Sequence, residues 1–240
     1  MNSRKFCASQ PPTFYILTVS KHKKRTMKLL ISLYKKCKKS DSIFIIVLIR
    51  LIFNRLIHNK TLLLHQKVTI KGVKNIQCNE KIEIGTSYVG FMHRTDKTFL
   101  NINGKLKIEG QYSIGRGCRF DIAKDASVSI GKGGYINCNS SIIIMHKLRI
   151  GDNCAISWNC QFLDEDFHTI NYAEKKEAPN SIEIGNHVWI GCGVKVYKGA
   201  KIPDGCVVAS DTVLKGKFDK ENCLIGGNPA RILKENIHWK

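Results

Sequence analysis

Ile184-Gly-Asn-His-Val-Trp-Ile190-Gly-Cys-Gly-Val-Lys-Val196-Tyr-Lys-Gly-Ala-Lys-Ile202-Pro-Asp-Gly-Cys-Val-Val208-Ala-Ser-Asp-Thr-Val-Leu214 carries an aliphatic residue at every sixth position. Four places after each of the first five stands a small or slim residue: Val188, Val194, Ala200, Cys206 and Thr212. A helix would repeat near 3.6 residues and a free-standing strand near 2. A period of six with two inward positions per unit fits a short strand, a corner and another short strand. This is the signature of a parallel β-helix. Three hexads make one triangular coil, and successive coils stack at strand spacing, about 4.8 Å.

The same phase runs backwards through the triplets Ile114–Phe120–Ala126, Ile130–Ile136–Ile142 and Ile150–Ile156–Phe162. Several coils open alike: Ile82-Glu-Ile-Gly85, Val128-Ser-Ile-Gly131, Leu148-Arg-Ile-Gly151 and Ile182-Glu-Ile-Gly185. Departures from six mark where loops leave the prism. The interval from Ile84 to Ile114 exceeds one 18-residue coil by 12, and that from Phe162 to Ile184 exceeds one hexad by 16. Insertions in solenoids gather on a functional edge. The segment 163–181 is therefore the first place to look for chemistry.

That segment opens with Asp164-Glu-Asp-Phe-His168. In extended geometry Asp164, Asp166 and His168 share one face. A neutral imidazole beside a carboxylate can take a proton from an alcohol near neutral pH, the carboxylate fixing its tautomer. A metal site of two carboxylates and one imidazole, or a merely solvated acidic loop, are the competing readings.

The phrases Ile156-Ser-Trp-Asn159, Leu163-Asp-Glu-Asp-Phe-His168, Val188-Trp-Ile-Gly191 and Gly226-Gly-Asn-Pro-Ala-Arg231 resemble those of the hexapeptide-repeat acyltransferases. Among these they resemble the maltose/galactoside acetyltransferases and the lipopolysaccharide and capsule O-acetyltransferases. The resemblance covers roughly residues 108–234. It implies an all-β fold, a left-handed parallel β-helix with a short C-terminal tail, to which the residues themselves add an N-terminal helical segment. It implies an acetyl-CoA-dependent O-acetyltransferase acting on a sugar hydroxyl of a surface-polysaccharide precursor, either a small-molecule or a lipid-linked saccharide. His168 would be the general base, with Asp164 and Asp166 completing the catalytic set, and no acyl-enzyme would form. The Cys192 N–H would face the thioester oxygen, where the transition state gathers negative charge. Relatives commonly carry Ser or Ala at that place, which a backbone role tolerates. Trp158, Asn159 and Trp189 would contact the acceptor. Ala209 and Ser210 would let pantetheine lie against the backbone, and Lys215, Gly227, Asn228, Pro229, Arg231 and Lys234 would hold the remainder of CoA. Arg is suited to phosphate by its fork geometry. The resemblance also implies a homotrimer with its sites between prisms. The excursion Phe91-Met-His-Arg-Thr-Asp96 is expected to reach over the acceptor cleft.

Charge and composition bound the rest. The net charge is +20, and residues 1–67 hold 15 Lys/Arg against the single acid Asp41. Within that segment the apolar run Ile43–Ile57 is interrupted by Arg50 and Arg55. It is too short and too charged for a span. It fits an interfacial helix reaching lipid phosphates, through residues 28–60, or a helix closing the open end of the β-helix. Nucleic acid is not expected as a partner, because no aromatics are interleaved with the lysines. The ten cysteines include no Cys-x-x-Cys pair, and Cys118, Cys154, Cys160 and Cys206 fall on the slim inward position. Reduced thiols and a cytoplasmic address follow, and the apolar, basic N-terminal segment favours work at the inner face of the membrane. No metal is expected. A lyase with three histidines on the same fold fits poorly, since His146, His168 and His187 are spaced by 22 and 19. N-acylation of an amino sugar is the nearer alternative. The expected organisation is a basic, partly helical segment 1–67, with 1–26 an extension lacking folded structure. A β-helix over 68–216 with catalytic loop 163–181 follows, and then a CoA-contacting tail, 217–240.

Overall fold

The computed structural model describes residues 13–93, 95–169, 173 and 179–240, with side chains from residue 24 onward. Among these residues three sheets of nine, seven and six strands, parallel but for the last strand of the first, wrap one axis as the faces of a prism, here called A, B and C. The chain visits them in the order A, B, C in every coil. Residues 189–190 lie on A, 195–197 on B and 201–202 on C. Each strand pairs in register with its counterpart one coil away, as Ile136 does with Ile114 and Ile156. The fold is the left-handed parallel β-helix expected from the sequence.

Both inward positions of the hexad are filled as the spacing requires. Ile184, Ile190, Val196, Ile202, Val208 and Leu214 are buried, and so are Val188, Val194, Ala200, Cys206 and Thr212. The inward cysteines behave as small apolar groups. Burial pushes the thiols of Cys118 and Cys160 up to about 12 and that of Cys154 to about 11. All nine described cysteines are free. Glycine is required where coils touch at a corner: a Cβ on Gly191 would lie 2.7 Å from the Ser210 nitrogen.

Two boundaries differ from expectation. The prism starts at Leu62 rather than at 68, because Leu62–Leu64 pairs in parallel with Ile82–Ile84 and forms the first strand of face A. An uninterrupted Leu-Leu-Leu run following an apolar helix gives no sign of that change. At the other end, residues 217–240 extend the prism rather than merely trailing from it. Leu224–Gly227 pairs with Val207–Val208 and then turns at Asn228-Pro229 into the antiparallel strand Ala230–Lys234. The expectation of an unfolded 1–26 also changes. Residues 1–12 lie outside the described residues, while Thr13–Lys39 is a helix, α1. No Gly or Pro occurs between those bounds, and Leu, Met, Lys and Arg favour the helical state.

A second helix, α2 (Phe44–His58), lies across the open end of the prism. Cys37, Val47 and Leu63 form a small buried cluster there, with Leu33, Phe44 and Leu51 packed against it. Arg50 turns inward, its two terminal nitrogens each donating at 2.8 Å, to the carbonyls of His65 and Val68. Those are groups that no preceding coil could pair. The opposite side of α2 is also apolar, and Ile45, Ile49, Ile52, Phe53, Leu56 and Ile57 are exposed. Among the described residues no helix is long and apolar enough to cross a membrane.

His65 sits in the seam between cap and prism. Its Nδ1 accepts from the Lys67 N–H at 3.1 Å and its Nε2 lies 3.2 Å from the Asp41 carbonyl, so the neutral Nε2–H tautomer satisfies both contacts. Burial first, and the Arg116 charge second, lower its pKa from 6.5 to about 4. A depressed histidine pKa means that the unfolded chain takes up the proton first. The stabilisation is therefore complete above about pH 6.5 and is lost as the pH falls toward 4. At about 1.4 kcal/mol per pH unit, the loss amounts to about 3 kcal/mol. Denaturant titrations at pH 7.5 and 4.5 should register it in the wild type, and a His65→Gln variant should flatten that difference. An equal pH dependence in both proteins would remove His65 as its source.

Candidate active site

The two insertions leave the prism at different edges. Residues 85–97 depart where face A turns into face B, and the segment after Leu163 departs where B turns into C. The three candidate catalytic residues separate accordingly. Asp164 is fully buried and accepts the N–H groups of Met145, His146 and Lys147 at 2.7, 2.9 and 2.8 Å. Asp166 is exposed and pairs with Lys198 Nζ at 2.7 Å. Phe167 adopts a left-handed backbone, φ +59°, which breaks the two-residue alternation before His168. The expectation that Asp164, Asp166 and His168 share one face is therefore not met. Asp164 is aimed into the preceding coil, and its three charge-assisted bonds brace the root of the loop. Among the described residues the exposed His168 ring has no hydrogen-bond partner. Part of the loop, residues 170–172 and 174–178, lies outside the described residues.

A second bracket holds the same loop. His146 Nε2 lies 2.8 Å from Glu165 Oε2, and the Asn180 amide sits 3.3 Å from that nitrogen. The hydrogen bond from His146 holds the Glu165 carboxyl below the usual carboxylate range. Entry and exit of the loop are thus tied to one imidazole of the preceding coil. Sequence reading missed His146 as a brace and Lys198 as the partner of Asp166. The available signal was position, since both stand at the B/C corner from which the insertion leaves.

The A/B edge carries the remaining candidates. Trp158, Asn159, Cys192 and Ser210 occupy equivalent corners of consecutive coils. The Gly193 N–H donates to Trp158 O at 3.1 Å and the Asp211 N–H to Cys192 O at 2.8 Å. The Cys192 N–H has no backbone acceptor among the described residues. Its thiol donates to Ser210 Oγ at 3.2 Å. Trp189 lies on the adjoining face A, 42% exposed, and its Nε1 donates to Ser157 Oγ at 3.3 Å. Trp239 stacks on His187 at 4.1 Å and reaches within 6.1 Å of the Trp189 ring. No local pattern announces that C-terminal contact.

Farther along the axis the residues expected to hold CoA divide between two edges of the prism. Ala209 meets the position a Cβ on Gly226 would take, at 3.2 Å. Gly227, φ +103°, and the cis Asn228-Pro229 pair turn the chain so that Arg231 and Lys234 stand exposed on the last strand. Lys215 is placed at the other edge of face B, its Nζ 5.3 Å from the Tyr197 ring centroid. The small Ala209–Ser210 corner and the exposed cations fit an extended anionic ligand, with Lys215 set apart from Arg231 and Lys234.

A family profile described as bacterial transferase hexapeptide (six repeats) matches residues 181–216. An uncharacterized 24.8 kDa protein in the cps region of Klebsiella pneumoniae is 39% identical over 210 residues, covering 87% of this chain and 94% of its own. The chain belongs to the hexapeptide-repeat acyltransferases. A second family member, the polysialic acid O-acetyltransferase of Neisseria meningitidis, is 43% identical over 96 residues, 39% of this chain and 45% of that protein. The crystal structure of a hexapeptide-repeat acetyltransferase from Vibrio cholerae, complexed with acetyl-CoA, is 27% identical. It aligns over 50% of this chain and 64% of that one with a TM-score of 0.40.

Replacing Asp164 by Ala in this acyltransferase leaves three backbone donors without their acceptor. A bond to a charged group contributes about 1.5–3 kcal/mol, so the loop root should open measurably. Hydrogen exchange at the amides of residues 145–147 should accelerate by at least about tenfold, with the exchange of inward amides such as Ile190 unchanged. Unaltered protection at 145–147 would deny Asp164 the bracing role.

Proposed function

We propose that the protein transfers an acetyl group from acetyl-CoA to a hydroxyl of a saccharide, and that His168 is the base. The observation that carries this reading is an exposed imidazole, free of partners among the described residues, on a loop root held by the buried Asp164 and the Lys198–Asp166 pair. In this scheme His168 removes the hydroxyl proton as the oxygen attacks the thioester carbonyl. The Cys192 N–H donates a hydrogen bond to the oxygen on which the negative charge develops. Collapse breaks the carbon–sulfur bond and expels the CoA thiolate, which the imidazolium protonates with the proton taken from the hydroxyl. Asp166 is released from direct proton work in this scheme and acts through Lys198 on the loop.

The site spans two prisms in this reading. Cys192 stands at the A/B edge and the His168 loop at the B/C edge, with the strand Lys195–Tyr197 between them. One such strand crosses roughly 13 Å, too far for one hydroxyl to meet both groups. Lateral association of identical prisms, the A/B edge of one beside the B/C edge of the next, brings the two together, and a closed trimer satisfies all three sites at once. The acceptor is a precursor of a surface polysaccharide, met at the cytoplasmic face of the membrane. The exposed apolar side of α2 and the basic residues of 28–60 supply that peripheral contact. A helix apolar on both sides needs a second apolar environment, and anionic headgroups complement the lysines.

Turnover of acetyl-CoA with a saccharide acceptor should fall by about 10²–10⁴ in His168→Ala. Acetyl-CoA affinity, followed by calorimetry, should be retained. Undiminished turnover would take His168 out of the mechanism, and a product stable to mild alkali would mean an amide rather than an ester.

For the membrane contact, an Ile49→Asp/Leu56→Asp double variant should pellet with phosphatidylethanolamine–phosphatidylglycerol vesicles at least about tenfold less than wild type. Wild type should release at high salt in part, since screening weakens only the charged component. Equal pelleting of the two proteins would rule out the α2 face.

A further inference from the structure

The excursion between Ile84 and Thr98 has no task in the acyl-transfer scheme. It departs at the A/B edge of the second coil, yet its tip lies beside a much later one. The Phe91 ring meets Trp158 edge-on, with centroids 5.3 Å apart and planes at 69°. Along face A the strands 82–84, 112–114, 135–136 and 155–156 are successive neighbours. The tip has therefore travelled three coils, about 14 Å, along the prism axis.

Its path is fixed by its own hydrogen bonds. The Met92 N–H donates to Val89 O at 3.0 Å, the His93 N–H to Asp96 Oδ2 at 2.8 Å, and the Asp96 N–H to His93 O at 3.1 Å. Arg116, a buried guanidinium, donates to His93 O at 3.2 Å and Gly85 O at 3.3 Å, and also to Ser40 O in the turn between the helices. One side chain thereby clamps the root of the excursion, its far bend and the N-terminal cap.

Phe91 and Trp158 remain 51% and 39% exposed in spite of their contact. Neither is hidden, and neither contributes to the inward core. Trp158 is bonded through its carbonyl to the Gly193 N–H at 3.1 Å, one residue from Cys192. Trp189 offers a further exposed ring beside the same turn, held by Ser157. Rigid aromatic faces open to solvent next to a few polar groups are the make-up of a ligand site, and the C–H face of a pyranose is the complementary surface.

We propose that Phe91 and Trp158 form an angled aromatic platform for one sugar ring of the acceptor, one ring stacking on its C–H face and the other, inclined at 69°, lying against its edge, with Phe91 selecting which saccharides enter and Arg116 as its positioning residue. The acceptor's location beside Cys192 rests on the acyl-transfer reading. The platform also explains why the excursion extends along the axis instead of folding over its own coil: it delivers an aromatic side chain to the coil that precedes Cys192.

Calorimetric titrations of the full chain with maltose, methyl β-galactoside and an α2,8-linked sialic acid trimer test this. Wild type, Phe91→Ala and Phe91→Tyr are compared, with acetyl-CoA titrated in parallel. At least one of the three saccharides should bind wild type in the millimolar range or tighter. Its affinity should drop by about tenfold in Phe91→Ala, equivalent to about 1.4 kcal/mol, and be restored to within about threefold by Phe91→Tyr. Acetyl-CoA affinity should be the same in all three proteins, a pattern that a general loss of structure would not give. Equal saccharide affinity in wild type and Phe91→Ala overturns the platform, as does failure of all three saccharides to bind wild type. Failure of acetyl-CoA to bind wild type sinks the acyl-transfer reading instead, and the saccharide titrations still decide the platform.

Discussion

Each inward aliphatic of this chain rests on its counterpart one coil earlier, and every feature outside the prism depends on that stacking. Ile114, Ile136, Ile156, Ile190, Val208 and Ile225 form one such column along face A, joined by consecutive parallel pairs. A shift of one residue would turn the column outward and bring polar side chains in. Because the register cannot slip, a corner residue in one coil lies above the corner residue of the coil before. That is how Trp158, Cys192 and Ser210, scattered over more than fifty positions of sequence, come to share one edge.

The loops are held by a different kind of force. Buried charge secures them: Asp164 with three backbone donors, and Arg116 with three backbone acceptors. An ionised group removed from water is costly unless it is hydrogen-bonded, so the bonds of the Asp164 carboxylate and of the two terminal Arg116 nitrogens hold the backbone around them in place, although Arg116 Nε has no partner among the described residues. The hydrophobic columns fix the coils, and the two buried charges fix what projects from them. Exposed groups such as His168, Phe91 and Trp189 can therefore be offered to solvent on rigid supports.

How much of this could be read from the sequence depended on periodicity. From Ile184 to Leu214 six hits in phase fixed the inward residues, and all of them are buried. The cysteines followed, because Cys118, Cys154, Cys160 and Cys206 kept the same phase. The phase was weaker at Leu62-Leu-Leu64, where an apolar run reads equally as the end of a helix, and the first strand went unseen. At the insertion after Leu163 the sequence located where the chain leaves the prism and misjudged the loop's interior. Alternation put Asp164 and His168 on one face, and nothing in the letters announces that Phe167 will take a left-handed backbone. Contacts between distant segments, such as Phe91 with Trp158 and His187 with Trp239, leave no local trace.

Both ends of the prism are closed. Across the first coil lies α2, whose Arg50 engages the carbonyls of His65 and Val68, and after the last coil the strand Ala230–Lys234 folds back antiparallel on Leu224–Gly227. A solenoid with bare ends would recruit further copies by strand addition and grow into a fibre. With α2 over one end and an antiparallel turn-back at the other, the described prism offers no bare coil on which such growth could start.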